Sequence, residues 1–70
     1  MTNIVASMAG SVWKVLVAEG DEVKEGQDII ILESMKMEIP IAAEKDGIVK
    51  KIQIQEGDFV NDEDILVEIE

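Results

Sequence analysis

The chain has no cysteine, no histidine, no arginine and no tyrosine among its 70 residues. Without cysteine it can hold no disulfide, and without cysteine or histidine it lacks the usual ligands of a structural zinc site. A domain this small is often stapled by one or the other, so packing and backbone pairing must hold it alone. The missing cysteine fits a reducing compartment. The same absences remove thiol and imidazole chemistry. No serine–base pairing can be argued from spacing either, so the sequence offers no catalytic set.

Positive charge is scarce. Six Lys face sixteen Asp and Glu, a net charge of −10. Such a surface repels the phosphates of nucleic acid and an anionic membrane face. It favours solubility and, secondarily, steering toward basic partners. Apolar runs are short: none exceeds Ile29-Ile30-Ile31-Leu32, far below the roughly 20 residues of a spanning helix. Met1-Thr2-Asn3-Ile4 has no positive n-region, so no secretory signal is expected. The expected location is cytoplasmic and the expected state a single monomeric domain.

What is present is a repeat. Gly10 to Val23 aligns without a gap on Gly47 to Val60, an offset of 37 residues. Ile4 and Ala6 fall on Ile41 and Ala43, and Ile29, Ile30, Leu32 and Glu33 fall on Leu66, Val67, Ile69 and Glu70. Ten of the 33 aligned pairs are identical. One copy is Met1 to Glu33 and the other Glu38 to Glu70, leaving Ser34, Met35, Lys36 and Met37 as the seam. Two such copies are expected to pack about an approximate two-fold axis, with seam and termini at opposite ends.

Each copy reads as strands. Gly10 to Val17 and Gly47 to Ile54 are rich in Val and Ile with partial alternation. The alternation slips between Val12 and Val15, and again between Val49 and Ile52, which points to a β-bulge in both copies. Turn signals follow at Glu19-Gly20-Asp21 and Glu56-Gly57-Asp58, then at Glu25-Gly26-Gln27 and Asn61 to Asp64. Short strands are expected at Glu22 to Lys24 and Phe59 to Val60, and longer ones at Asp28 to Glu33 and Ile65 to Glu70. No stretch has helical periodicity. The expectation is an all-β fold: eight strands in two four-stranded antiparallel sheets, closed as a flattened barrel, a barrel-sandwich hybrid. Pro40 suits an edge strand or a strand start. Trp13 aligns with Lys50 and reads as a half-buried packing residue. The acidic stretch Asp58 to Asp64 lacks the EF-hand spacing and reads as a solvated turn.

The seam joins two strands and is therefore a hairpin tip. It has no Gly, Asn or Asp, the residues a tight turn favours. The shortest turn would centre on Met35-Lys36 and hold both at positive φ, at a cost of about 1–3 kcal/mol each; a longer, relaxed loop would avoid that strain. A lysine there is a mobile arm on a rigid base. Nothing in the sequence desolvates its amine, which argues against a Schiff-base role; a partner enzyme must take its proton. Methionine at a turn adds little stability but gives an adaptable apolar contact.

Glu33-Ser34-Met35-Lys36-Met37-Glu38 resembles the Ala-Met-Lys-Met signature of the biotinyl/lipoyl attachment domain, biotin carboxyl carrier type, with Ser34 in place of Ala. Val23 to Gln27, the Gly-x-Val and Glu-Gly-Asp of Gly47 to Val60, and Asp64 to Val67 also match. Ser7-Met8-Ala9-Gly10 matches the family's Pro-Met-Pro-Gly more loosely. The resemblance covers essentially the whole chain. It implies a carrier, not an enzyme. Lys36 would be acylated by a biotin–protein ligase that recognises Glu33, Ser34, Met35, Met37 and Glu38. The swinging biotin would then carry a carboxyl group from a biotin carboxylase to a carboxyltransferase. Glu19-Gly20-Asp21 leaves no room for the thumb insertion some members carry. The nearest rival is a lipoyl carrier using lipoate on the same Lys36. Such domains usually place Asp before the lysine and Ala after it, whereas this chain has Met on both sides. A further rival is an unmodified barrel serving as an interaction module, against which Lys36 at the seam speaks.

Overall fold

The computed structural model describes residues 2–70; Met1, the first residue of the first copy, lies outside them. The strands are β1 (Thr2–Val5), β2 (Gly10–Val15), β3 (Glu22–Val23), β4 (Asp28–Ser34), β5 (Met37–Ala42), β6 (Gly47–Ile52), β7 (Phe59–Val60) and β8 (Ile65–Ile69). They form two four-stranded sheets, ordered β1-β8-β6-β3 and β5-β4-β2-β7, in which every pairing is antiparallel. No helix occurs among the described residues.

The hydrogen-bonding pattern repeats at the offset seen in the sequence. Adding 37 to β1, β2, β3 and β4 gives β5, β6, β7 and β8, and this exchange converts one sheet order into the other. The bulges repeat as well. In β2 the register steps from Val12 opposite Leu32 to Lys14 opposite Ile31, passing over Trp13. In β6 it steps from Val49 opposite Ile69 to Lys51 opposite Glu68, passing over Lys50. The extra residue bends each strand and raises its twist, which lets a small sheet curl over its partner.

β2 and β6 stop two residues earlier than expected, at Val15 and Ile52. Side-chain carboxylates end these ladders. The Ala18 N–H donates to Asp21 Oδ2 (2.8 Å) and the Gln55 N–H to Asp58 Oδ2 (3.0 Å), pulling each chain into its turn. Lys24 leaves β3 for the same reason, since its N–H donates to Gln27 Oε1 at 3.1 Å. At the other end of the acidic stretch the Asn61 N–H donates to Asp64 Oδ2 at 2.8 Å, so these acids shape backbone turns. Pro40 lies in β5, an edge strand, where a sheet tolerates a residue without an N–H.

The core contains 14 buried apolar side chains. They are seven repeat pairs: Ile4 with Ile41, Ala6 with Ala43, Val12 with Val49, Val23 with Val60, Ile29 with Leu66, Ile30 with Val67, and Leu32 with Ile69. No polar or charged side chain is buried among the described residues. Gly10 and Gly47 are required where strand meets strand. A Cβ on Gly10 would lie 2.8 Å from the Glu33 carbonyl oxygen. One on Gly47 would lie 2.9 Å from the Glu70 carbonyl oxygen and collide with the Ile69 side chain. The seam in one half and the C-terminus in the other thus occupy equivalent places. Trp13 is partly covered as expected, at 42% exposed, but it stands on the outer face beside the bulge and does not pack on the core.

Candidate functional site

The β4–β5 ladder extends further into the seam than the repeat boundaries suggest. Glu33 pairs with Glu38 and Ser34 with Met37, leaving only Met35 and Lys36 to turn the chain. Both have positive φ, 51° and 64°, as a two-residue type I′ hairpin requires. Asn and Gly take this conformation readily; for other residues it costs about 1–2 kcal/mol each. The turn therefore holds Lys36 at the tip against its own backbone preference.

The flanking side chains do not fold back onto the barrel end. Met35 is 90% exposed and Met37 is 64% exposed. Ser34 is half-buried, and its Cβ stands close to Gly10, where an added Cβ would lie 3.3 Å from it. Glu33 and Glu38, both exposed, stand directly opposite each other, a like-charge cross-strand pair that opposes stability.

Lys36 differs from the other five lysines in placement. Lys14, Lys50 and Lys51 stand on strands. The Lys14 ammonium lies 5.4 Å from the Trp13 ring centroid, and Lys50 pairs with Glu70 at 4.0 Å. Lys24 and Lys45 belong to the bends between strands. Lys36 projects from the hairpin tip, and no ion pair engages it among the described residues. An open groove of about 410 Å³ is lined by Val15, Ile52, Ile54, Gln55 and Glu56, at the far end of β2 from the hairpin. At the tip, Met35, Lys36 and Met37 are all exposed, so a group bonded to the lysine amine would stand clear of the sheets.

A family model described as biotin-requiring enzyme, Biotin_lipoyl, matches residues 2–69. The chain belongs to the biotin/lipoyl family. A "Biotin/lipoyl attachment protein" of Bacillus subtilis is 58% identical over 67 residues, covering 96% of this chain and 92% of that one. The "Biotinylated protein TB7.3 homolog" of Mycobacterium leprae is 40% identical over 67 residues, covering 96% and 94%. Among solved structures, the urea carboxylase of Kluyveromyces lactis superposes with a TM-score of 0.91 at 37% identity. That match takes in 97% of this chain but only 6% of the carboxylase. This biotin/lipoyl domain is therefore homologous both to proteins of its own length and to one small segment of a large carboxylase.

Sequence reasoning placed Ser34, Met35, Lys36 and Met37 in a seam between a strand ending at Glu33 and one starting near Glu38, and the structure brings all six together at one hairpin end. It did not single out Phe59, which is 67% exposed. Phe59 pairs with Ser11, and Ser11 with Glu33, so Phe59 ends the cross-strand row that begins at Glu38. The signal was available in the repeat: Phe59 aligns with Glu22, an apolar residue where its counterpart is charged.

Proposed function

We propose that this domain is a biotin carboxyl carrier whose acceptor is Lys36. The observation that carries the reading is the two-residue turn with both φ values positive, which presents Lys36 at the tip between two exposed methionines. Stability is given up at this turn, and the turn displays an amine. Lys36 Nζ attacks the acyl carbon of biotinyl-adenylate on a biotin–protein ligase. The new amide C–N bond replaces the acyl–phosphate bond, AMP leaves, and the ligase takes the amine proton. Met35 and Met37 supply adaptable apolar contacts to that ligase. Glu33 and Glu38 supply its charge contacts, and Ser34 allows its close approach.

When bound, biotin supplies a ureido nitrogen that accepts a carboxyl group at a biotin carboxylase and yields it at a carboxyltransferase. The chain contributes the tether and a rigid base. The tether raises the effective concentration of the attached group at each partner site. Residues 1–70 act as one monomeric carrier domain of the cytoplasm, not as a catalyst. A lipoyl carrier using the same Lys36 is the second reading, favoured by the name of the Bacillus subtilis relative.

The carrier role is tested by supplying the biotinylated domain to a biotin carboxylase with ATP and labelled bicarbonate. One acid-labile label per chain is expected, and none on Lys36→Ala carried through the same ligase treatment. Equal labelling of the two proteins, or none on a fully biotinylated domain, contradicts the reading.

A further inference from the structure

The two sheets are built on the same pattern, so one serves as an internal control for the other. In the sheet without the hairpin, the middle row of the outer face is polar and no aromatic ring stands on it, although Val5, Ile48 and Ile65 are exposed around that row. The row is Lys51–Glu68–Asn3. Gln53 hydrogen-bonds to Glu68 and Lys50 pairs with Glu70. In the hairpin sheet the equivalent row is Lys14–Ile31–Pro40, with Trp13 projecting from the bulge beside it.

The next row toward the tip is Phe59–Ser11–Glu33–Glu38. Where the control sheet has Lys50, Glu68, Asn3 and Glu22, the hairpin sheet has Trp13, Ile31, Pro40 and Phe59. The reverse exchange occurs twice, with Ile48 at the position equivalent to Ser11 and Ile65 at that equivalent to Asp28. Trp13 and Phe59 are the only aromatic residues in the chain, and neither belongs to the core. Buried aromatic anchors dominate protein interfaces, whereas these two give the isolated fold little.

From this asymmetry we infer that the outer face of the hairpin sheet, anchored by Phe59 and Trp13, is the docking surface for the enzyme that acylates Lys36. The inference rests on the proposed carrier role. An enzyme that acts on the lysine amine itself must come within that side chain's reach of the turn. The Phe59 row lies two residues, about 7 Å of strand, below the turn, and Phe59 stands two strand spacings, about 10 Å, across the sheet from Glu33; an enzyme of ordinary footprint seated on the tip reaches it. An enzyme acting at the far end of the attached group is under no such constraint. The partner's chemistry follows from the face: an apolar shelf for the two rings, rimmed by basic side chains that answer the Glu33–Glu38 pair and the chain's net charge of −10.

The repeat also supplies the test variants. Phe59→Glu and Trp13→Lys install the residues that the same scaffold carries at Glu22 and Lys50. Both sites are exposed, so the unfolding midpoint is expected to stay at the wild-type value. Initial rates of biotinylation are measured with a biotin–protein ligase over a range of domain concentrations. Each variant is expected to lose about tenfold in kcat/KM, as truncated interface anchors do. The loss should lie in KM, with kcat within twofold and one biotin per chain at completion. Glu22→Phe, on the opposite face, should match wild type. A wild-type domain that is biotinylated, together with variants of unchanged kcat/KM, overturns this inference and leaves the carrier role standing. A folded wild-type domain that the ligase never modifies overturns both.

Discussion

Replacing Met35-Lys36 by Asn-Gly should stabilise the domain while abolishing its acceptor. Both residues sit in the left-handed region, at φ 51° and 64°. A side chain other than Gly or Asn costs about 1–2 kcal/mol there, so the turn stores about 2–4 kcal/mol. Asn tolerates the region and Gly enters it freely, but Gly also returns roughly 0.4–1 kcal/mol of entropy to the unfolded chain. Little packing is lost, because Met35 is almost fully exposed. The net expectation is a gain of about 1–3 kcal/mol, or at least 4 °C in Tm at roughly 4–8 °C per kcal/mol for a domain of this size. Urea and thermal unfolding followed by far-UV circular dichroism measure it. Lys36→Gly alone should deliver part of the gain. A variant no more stable than wild type would refute the idea that the turn is strained.

Other consequences follow from the repeat. Glu63 has φ 71°, whereas its counterpart Gly26 has φ 85°; Glu63→Gly should therefore raise the urea midpoint, by about 0.5–1 kcal/mol after the entropy of the added glycine. The Ile52 N–H donates to Glu19 Oε2 and the Val15 N–H to Glu56 Oε2, both at 3.1 Å. Glu19→Ala and Glu56→Ala should each cost about 0.5–1.5 kcal/mol in urea unfolding, and nearly the same amount as each other; widely different values contradict the equivalence of the halves. Gly47→Ala should cost about 1–3 kcal/mol or more through overpacking against Ile69 and the Glu70 carbonyl, read as a lowered Tm. Leu32 and Ile69 are buried repeat partners. Truncating either to Ala should cost about 2–5 kcal/mol, enough to unfold much of the population at 37 °C by circular dichroism.

The 37-residue offset made most of the fold legible. It placed eight strands and both bulges, and it aligned the apolar residues that prove to be paired in the core; two weak local signals in agreement are stronger than one. Strand ends were less legible. Val17, Ile54 and Lys24 have strand-forming neighbours, but Asp21, Asp58 and Gln27 capture the adjacent backbone N–H groups. That competition depends on side-chain reach, which alternation does not encode. Trp13 faces outward as the residue after buried Val12, and the bulge lets Lys14 face outward beside it; the sequence showed the slip without showing on which face the two neighbours would stand.

At the site, the two-residue turn could be named from the seam length, yet spacing alone left a relaxed loop open. The ladder between Ser34 and Met37 closes that option. Phe59 was missed because β7 is two residues long and lies 23 positions from Lys36 in the chain. Only the sheet order sets it in the row beside Glu33.

The most direct measurement is intact mass followed by peptide mapping after parallel incubations with ATP. One uses biotin–protein ligase and biotin, the other lipoate ligase and lipoate, and Lys36→Ala serves as the control in each. The account predicts one biotin per chain, mapped to Lys36 and absent from the variant. Lipoate alone at Lys36 would move the domain to the second reading. An adduct on any other lysine, or a folded domain that neither ligase modifies, would contradict the claim that the hairpin exists to present Lys36 for acylation.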